Sequence, residues 1–315
     1  MTSVPVLIVG FKRYENIMKL LLDSHSAGVT SIYLALDGIP HGPDAERDSF
    51  LAKVDSLSQH SGINVTKWIR QYNLGPAVSI ITAIDWFFAQ EDYGVILEDD
   101  LVLGRSALSF FEMGLALHQN NARVSVIAGS NFWELQPGGS EWSSFPITWG
   151  WATWKERWFE LRNVFFSPSP SFSKVGKLSE RFFWWVGLHR CLSGEQDAWD
   201  IPFASYFRSL NKICLFPPVN LISNIGVDVF AGNTHEKKWP LFHPISDHIQ
   251  LDDSFFLEEF DQKYCLDSLI LREIYGVSSR NILSGFFFSV TRRLSPSRFS
   301  RQESLSFRIR STELP

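Results

Sequence analysis

The sequence predicts an α/β protein, with one large domain built on a mostly parallel β-sheet flanked by helices and followed by a C-terminal extension. Two observations lead to this fold class. Over the first hundred residues, short apolar runs alternate with stretches of helical periodicity, which is the pattern of parallel strands joined by helices. At 315 residues the chain exceeds the usual size of one domain, but we favour one large domain with appended elements over two independent domains.

Four strands and two helices can be placed in the first hundred residues. The runs at 4–9, 32–36, 64–69 and 94–97 predict strands because each is short and largely apolar. Residues 16–24 carry Ile17, Leu20 and Leu21 at helical spacing. The turn Asn73-Leu-Gly-Pro76 precedes a second helix, in which apolar residues of 77–88 mark one face.

The later part of the chain has a weaker pattern. Residues 124–128 predict a strand, and residues 163–173, rich in Ser, Pro and Phe, predict a surface loop or flap. Residues 291–315 contain six Arg, so the tail is locally basic. We favour a frayed, solvated end for this tail, and peripheral contact with a membrane surface is the alternative.

The composition excludes several classes of protein. A net charge of −5 gives no general basis for nucleic-acid binding, which needs concentrated Lys and Arg. Cys191, Cys214 and Cys265 are far apart and fit neither a disulfide framework nor a zinc site, so we expect a reducing, cytoplasmic setting. No apolar run approaches the roughly 20 residues that a membrane-spanning helix needs, and the run at 4–9 is too short for a signal-peptide core.

Polar side chains follow each of the four predicted strands, as Lys12 and Arg13, then Asp37, then Arg70 and Asn73, and finally three consecutive acids. Ligands of open α/β sheets bind beyond the carboxyl ends of the strands, so we expect these side chains to share one crevice. Lys12 and Arg13 suit phosphate, and Asp37 suits a nucleobase or ribose. The alternatives are a surface pair for Lys12 and Arg13, and a simple Asp-Gly turn for Asp37.

The acidic triplet Glu98-Asp99-Asp100 is the sharpest chemical signal in the sequence. Adjacent carboxylates after a buried strand repel one another, and a hard divalent cation relieves that repulsion. The predicted cofactor is therefore Mn²⁺ or Mg²⁺, which would offset the charge of a diphosphate and stabilise it as a leaving group. A solvated acidic turn is the alternative.

Five motifs occur in the order found in GT-A nucleotide-sugar glycosyltransferases, and the chain resembles that class. They are Pro5-Val-Leu-Ile-Val-Gly-Phe-Lys-Arg13, Leu36-Asp-Gly38, Asn73-Leu-Gly75, Ile96-Leu-Glu-Asp-Asp-Leu101 and Thr148-Trp-Gly-Trp-Ala-Thr-Trp-Lys-Glu-Arg-Trp158. They look like those of bacterial family 2-like enzymes, and the Glu-Asp-Asp form is shared with the N-acetylglucosaminyltransferase I type. The resemblance implies a GT-A domain over residues 1–240, nucleotide-binding in 1–130 and acceptor-side in 131–240. A helical extension with the basic tail would occupy 241–315.

The resemblance implies a donor site with assigned roles. Arg13 would meet the diphosphate, Asp37 the base, Asn73 the nucleotide-sugar, Asp100 the metal, and Glu98 and Asp99 the ribose or metal-bound water. His235 is a candidate for a further metal ligand, because several GT-A families bring a late histidine to the metal. A packed or exposed loop histidine is the alternative reading of His235.

The acceptor side is less sharply predicted. By resemblance, Asp197 occupies the place of the catalytic base that deprotonates the acceptor, with Glu195 and Asp200 as rivals. Trp149 and Trp151 are candidates for an acceptor-facing wall. A helix-spaced aromatic core is the alternative, because Trp151, Trp154 and Trp158 fall at i, i+3 and i+7.

Together these features predict an inverting, metal-dependent glycosyltransferase that moves a hexose or N-acetylhexosamine from a nucleotide-diphosphate sugar, with UDP as the expected nucleotide. The acceptor would be a glycan or a lipid-linked molecule in surface polysaccharide or lipopolysaccharide synthesis, which is an expectation by family analogy. A nucleotidyltransferase of similar fold and a catalytically silent sugar-binding protein are the alternatives. The short loop after the first strand, with its single Gly10, disfavours the nucleotidyltransferase.

Overall fold

A computed structural model of the chain describes residues 4–40, 44–133, 141–166, 176, 178–226, 245–246, 266–275, 277, 305–310 and 312. His235, Cys265 and most of the basic tail lie outside the described residues. None of the described helices is long and apolar enough to cross a membrane.

The strands within the described residues are β1 (Val6–Gly10), β2 (Ser31–Leu36), β3 (Asn64–Ile69), β4 (Tyr93–Glu98), β5 (Leu101–Leu103), β6 (Val124–Ala128), β7 (Glu141–Ser143), β8 (Trp151–Trp154), β9 (Ile213–Phe216) and β10 (Ile222–Asn224). Eight of them form one sheet in the order β3-β2-β1-β4-β8-β6-β9-β7, and β5 pairs separately with β10. In the large sheet only β8 and β7 run antiparallel to their neighbours. The predicted mostly parallel sheet is confirmed.

The helices are α1 (Tyr14–Ser26), α2 (Ala45–Ser61), α3 (Pro76–Phe88), α4 (Ala107–His118), α5 (Lys155–Arg162), α6 (Leu178–Leu192), α7 (Asp200–Ser209), α8 (Asp267–Leu269) and α9 (Leu305–Arg310). A 3₁₀ turn, Asn163–Phe165, follows α5, and a π-helical turn, Ile270–Ile274, follows α8. Gly75, with φ at 76°, precedes α3, and Pro76 occupies its first turn. Helix α2 has an N-cap at Asp44, whose carboxylate accepts hydrogen bonds from two main-chain N–H groups.

Alternating side chains of the central strands supply two hydrophobic cores, one on each face of the sheet. Leu7 and Val9 of β1 belong to the core that includes α3, α5 and α7. Val6 and Ile8 belong to the core that includes α1, α2 and α4. Leu305 and Ile309 of α9 are buried in the first of these cores. The described part of the predicted extension therefore packs against the main sheet, while the boundary at residue 240 stays a prediction.

The aromatic segment differs from its predicted helix. Trp151 and Trp154 lie on strand β8, and α5 begins only at Lys155, so the i, i+3, i+7 spacing does not mark one helix face. Trp151 and Trp158 still meet, with ring centroids 6.3 Å apart, because the chain turns from strand to helix between them. Residues Asn163–Phe165 likewise form a 3₁₀ turn where a loop was predicted. In both places buried aromatic packing decides the local structure.

Candidate functional site at the carboxyl ends of the strands

Asp99, the middle acid of the triplet, is engaged by the loop that follows β1. Its Oδ2 accepts a hydrogen bond of 2.7 Å from the Phe11 main-chain N–H, and its Oδ1 pairs with the Arg13 guanidinium at 2.8 Å. The Asp99 residue is only 7% exposed. Both carboxylate oxygens of Asp99 therefore link the end of β4 to the loop after β1. The positive charge of Arg13 is partly neutralised by this ion pair.

Glu98 and Asp100, the outer acids, are partly accessible, and within the described residues neither pairs with a cation as Asp99 does. Burial raises the pKa of Glu98 well above its usual range, and repulsion from Asp100, Asp99 and Asp200 adds to the rise, with Arg13 opposing it. Burial and then the Asp99 charge raise the pKa of Asp100 to about 6. The site thus holds two carboxylates whose ionised forms are unfavourable until a cation approaches.

The donor atoms at this edge of the sheet fit a hard divalent cation. Within the described residues, the Oδ1 atom of Asp100 is buried and has no hydrogen-bond partner. No three His, Cys, Asp or Glu side chains of the described residues converge into a complete metal cage. A cation held by one or two carboxylates, with substrate phosphates and water completing its coordination shell, does not need such a cage.

Asp37 lies where β2 ends and connects two loops of the same edge. It is 5% exposed, and its Oδ1 accepts hydrogen bonds from the main-chain N–H groups of Gly38 at 2.9 Å and Leu74 at 3.0 Å. Burial raises its pKa, although these hydrogen bonds and Arg70 oppose the shift. Asn73 donates to the Gly38 carbonyl at 3.1 Å. These two predicted nucleotide-contacting residues are adjacent, and both stabilise the loop between β3 and α3.

Of the two predicted cations Arg70 and Lys12, Arg70 is buried in the structure and Lys12 is exposed. The Arg70 guanidinium is 5% exposed, donates to Ser79 and Thr82 of α3, and lies 4.0 Å from the centroid of the Trp68 ring. Burial lowers the pKa of Arg70 to about 10, and Asp37 opposes that change. Lys12 is exposed, with its Nζ 5.3 Å from the Phe11 ring centroid. Lys12 is thus the cation of this pair that remains available to a phosphate.

Asp200, the first residue of α7, faces the triplet from the other half of the sheet. Its charge contributes to the raised pKa of Glu98, so the two carboxylates are close enough to repel one another. Asp200 is accessible to solvent, and it lines a cavity of about 50 Å³ together with Phe132, Pro146, Ile147, Thr148, Trp149, Ile274 and Tyr275. Burial of the carboxyl raises the pKa of Asp200, with the Ile201 main-chain N–H opposing the shift.

Asp197 points to a different neighbourhood from Asp200. Its carboxylate packs against Gly75, where an added Cβ would lie 2.5 Å from Oδ2. Arg308 of α9 pairs with Asp197 at 3.5 Å and also donates to the Leu74 carbonyl. Asp197 therefore lies beside the loop that Asp37 holds, while Glu195 is partly exposed in the turn before it.

The tryptophans of the predicted acceptor wall separate into two environments. Trp149 is half-buried, lines the cavity with Asp200, and packs edge-on against Phe132 with centroids 5.1 Å apart. Trp151 is 1% exposed and stacks on Trp199 at 5.9 Å. Trp151 therefore belongs to the buried aromatic core. Trp149 is the one of these two rings that a ligand can reach.

Tyr275 is a cavity residue that the sequence analysis did not select. Its ring packs edge-on against Trp184 with centroids 4.8 Å apart. Burial raises the pKa of its phenol, and the nearby charge of Asp200 adds to the rise. The π-helical turn that precedes Tyr275 brings its ring to the cavity. The sequence has no periodic pattern that predicts this turn.

Neither a protein family nor a curated protein matches the chain by sequence. Among solved structures, the chain is similar to the glycosyltransferase GlyE of Streptococcus pneumoniae TIGR4, at 14% identity and a TM-score of 0.33 over 56% of this chain and 41% of GlyE. It is also similar to the mannosyltransferase PcManGT of Pyrobaculum calidifontis in complex with GDP-Man and Mn²⁺, at 11% identity and a TM-score of 0.39 over 67% and 70% of the two chains. A third structure is HddC of Yersinia pseudotuberculosis, at 11% identity and a TM-score of 0.31 over 49% and 78%.

Proposed function

We propose that this protein is a metal-dependent glycosyltransferase that moves a sugar from a nucleotide-diphosphate sugar to an acceptor hydroxyl with inversion. The observation that carries the proposal is the geometry of four acids at the carboxyl edge of the sheet. Asp99 is neutralised by Arg13, the pKa values of Glu98 and Asp100 are raised, and Asp200 faces Glu98 from the lining of an aromatic cavity.

The donor side uses the outer acids of the triplet. Asp100, with Glu98 beside it, would hold Mn²⁺ or Mg²⁺, and the bound cation would offset the charge that develops on the departing diphosphate. Arg13 and Lys12 extend positive charge along the loop after β1, where phosphates approach. Asp37 and Asn73 hold the neighbouring loop, whose Tyr72 ring is 69% exposed and offers a face to a nucleobase.

The acceptor side uses Asp200 as the general base, in preference to Asp197. In a single displacement, the acceptor oxygen forms a bond to the anomeric carbon as the bond from that carbon to the diphosphate oxygen breaks. The hydroxyl proton passes to the Asp200 carboxylate. A raised pKa makes Asp200 a stronger base, provided that the working pH keeps it ionised. Attack from the face opposite the diphosphate inverts the anomeric configuration.

The finer features of the function extend the proposal. The rings of Trp149 and Tyr275 beside Asp200 suit the apolar face of a sugar in a glycan or lipid-linked acceptor. We propose UDP as the nucleotide, a hexose or N-acetylhexosamine as the sugar, and His235 as a further metal ligand. A cytoplasmic enzyme of surface polysaccharide or lipopolysaccharide synthesis, in peripheral contact with the membrane through the basic tail, fits these features.

Thermal unfolding with a panel of nucleoside diphosphates, with and without Mn²⁺, tests the donor site. A ligand at about a hundredfold excess over its Kd stabilises the native state by about 2.7 kcal/mol. We expect one nucleotide to stabilise the wild type only with Mn²⁺, and Asp100→Ala to lose that shift. Asp92→Ala is the matched control, because Asp92 directly precedes β4, at its opposite end, and its side chain is 88% exposed.

The outcomes separate the three classes of protein. A metal-dependent shift that disappears only in Asp100→Ala supports the transferase. A nucleoside triphosphate that forms a nucleotide-sugar from a sugar phosphate would indicate a nucleotidyltransferase. Sugar binding without any metal-dependent nucleotide binding would indicate a catalytically silent sugar-binding protein. If no nucleotide changes the unfolding temperature under any metal condition, the proposed donor site is contradicted.

A further inference from the structure

Two asparagine side chains on either side of the acidic triplet hold the residue that the proposed cation needs. Asn16 lies on α1, and its Nδ2 donates to the main-chain carbonyls of Asp99 at 2.8 Å and Leu101 at 2.9 Å. These two carbonyls flank Asp100 in the chain. Asn16 therefore fixes the direction of the main chain immediately before and after Asp100.

Strand β10 holds the same turn from the other side. The Ile225 main-chain N–H donates to the carbonyl of Asp100 at 2.7 Å, next to the register pair Asn224 and Leu101. The carbonyls of three consecutive residues, 99 to 101, thus all accept hydrogen bonds from donors on α1 or directly after β10.

The second asparagine lies beside the carboxylate of Asp100. An added Cβ at Gly226 would lie 2.2 Å from the Asp100 Oδ2 and 2.9 Å from the Asn224 Oδ1, and the Asn224 side chain opposes the rise in the pKa of Asp100. The Asn224 Oδ1 accepts the Gly226 N–H at 2.7 Å, which leaves the Asn224 Nδ2 as the amide atom that can donate to a carboxylate. Gly226 is required for this approach, because a Cβ there would collide with the Asp100 Oδ2 atom.

The two oxygens of Asp100 consequently have different environments. Oδ1 is buried and has no hydrogen-bond partner within the described part of the chain, whereas Oδ2 lies beside Gly226 and the Asn224 side chain. We propose that Asn16 and Asn224 are positioning residues that immobilise Asp100 through its main chain and its Oδ2 atom, leaving Oδ1 as a single oxygen ligand for the divalent cation. This inference rests on the proposed function and adds residues and an atom to its metal site.

The choice of amides has a physical reason. Arg13 holds Asp99 with a positive charge, which neutralises that carboxylate and removes it from competition for a cation. A neutral amide fixes the geometry of Asp100 while leaving its negative charge for the metal. Groups that orient a metal ligand in this way commonly contribute about tenfold to a hundredfold to metal affinity.

Direct measurement of Mn²⁺ binding tests the inference, with free Mn²⁺ followed by electron paramagnetic resonance. We expect Asn224→Ala and Asn16→Ala each to weaken Mn²⁺ affinity by about tenfold to a hundredfold. Asn224→Ser keeps a hydroxyl donor and should recover part of the loss. Asn121→Ala is the matched control, because its side chain also accepts a main-chain N–H, at 3.1 Å from Arg123, and it lies beyond the amino end of β6.

A merely structural role would give a different pattern. It would lower the metal-free unfolding temperature of each variant in step with its loss of Mn²⁺ affinity, and Asn224→Ser would bring no selective recovery of Mn²⁺ affinity. Wild-type affinity for Mn²⁺ in both alanine variants would overturn the positioning role and leave the transferase proposal standing. A wild type that binds no Mn²⁺, with or without nucleotide, would overturn both.

Discussion

Replacing Asp100 with Asn should stabilise the metal-free protein, and the gain should depend on pH. Burial and the Asp99 charge raise the pKa of Asp100 from 3.8 to about 6. A raised pKa means that the folded state binds this proton more tightly than the unfolded state does. The contribution of Asp100 to stability is therefore complete below its unfolded pKa and is lost as the pH rises through about 6.

The magnitude follows from the size of the shift. A difference of about two pKa units corresponds to about 3 kcal/mol, at about 1.4 kcal/mol for each unit. Because Asp100 is partly accessible to solvent, we expect about 1–3 kcal/mol in practice. The Asn variant has no charge to desolvate and keeps an oxygen that can accept from Asn224. Its advantage over the wild type should be near zero at about pH 4 and complete near pH 8.

Urea unfolding in EDTA at several pH values measures this difference in the free energy of unfolding. Mn²⁺ added at pH 8 should stabilise the wild type more than Asp100→Asn and so reduce or reverse the difference. Asp92→Asn is the control, since Asp92 is exposed and remote from the triplet. The reasoning would be refuted by a variant that is less stable than the wild type in EDTA at pH 8, or by a gain in stability that is the same at pH 4. Either result would mean that burial and the Asp99 charge do not disfavour the ionised form of Asp100.

Three further expectations concern the base, a turn and the core. Asp200→Asn should lower transfer by about a hundredfold or more while Mn²⁺-dependent nucleotide binding persists, and an equal loss in Asp197→Asn would contradict the assignment of the base. Gly38→Ala should destabilise the fold by about 1–3 kcal/mol, seen in urea unfolding, because its Cβ would meet the main chain of the β3–α3 loop. Arg162→Met should cost about 3 kcal/mol near neutral pH by leaving Asp85, 3% exposed, without its cation. Since burial raises the pKa of Asp85, that loss should shrink in acid, and a loss independent of pH would count against it.

Much of the fold could be predicted because its central strands are short and strongly apolar. The run at 124–128 matches the buried strand β6 at both ends, and the third predicted strand also matches β3 at both ends, although β3 is a less buried edge strand. Helix α2 was not predicted, because only Phe50 and Val54 of its 17 residues are buried and its apolar periodicity is faint. The alternative of one helix face for Trp151, Trp154 and Trp158 was wrong, because tryptophan spacing alone does not distinguish a strand-to-helix turn from a continuous helix.

The location of the candidate site could be predicted from the sequence better than the contacts of its individual residues. The triplet and Asp37 follow apolar strands, so their position at one edge could be inferred from order alone. The different tasks of Glu98, Asp99 and Asp100 depend on donors from α1 and β10, which lie far away in sequence. Asn16 and Asn224 carry no recognisable motif, and only folding brings them to Asp100. The sequence also offered no basis for ranking Asp200 above Asp197.

Because β8 runs antiparallel to β4, the triplet and the cavity beside Asp200 are supplied by different kinds of loop. Parallel strands β1, β2 and β4 deliver the residues that come after them, whereas antiparallel β8 delivers the residues that come before it, including Trp149. The proposed acceptor wall and the proposed metal site therefore come from different loops. Changes in residues 146–149 can reshape the cavity beside Asp200 while the strand ends that carry the triplet keep their sequence and register.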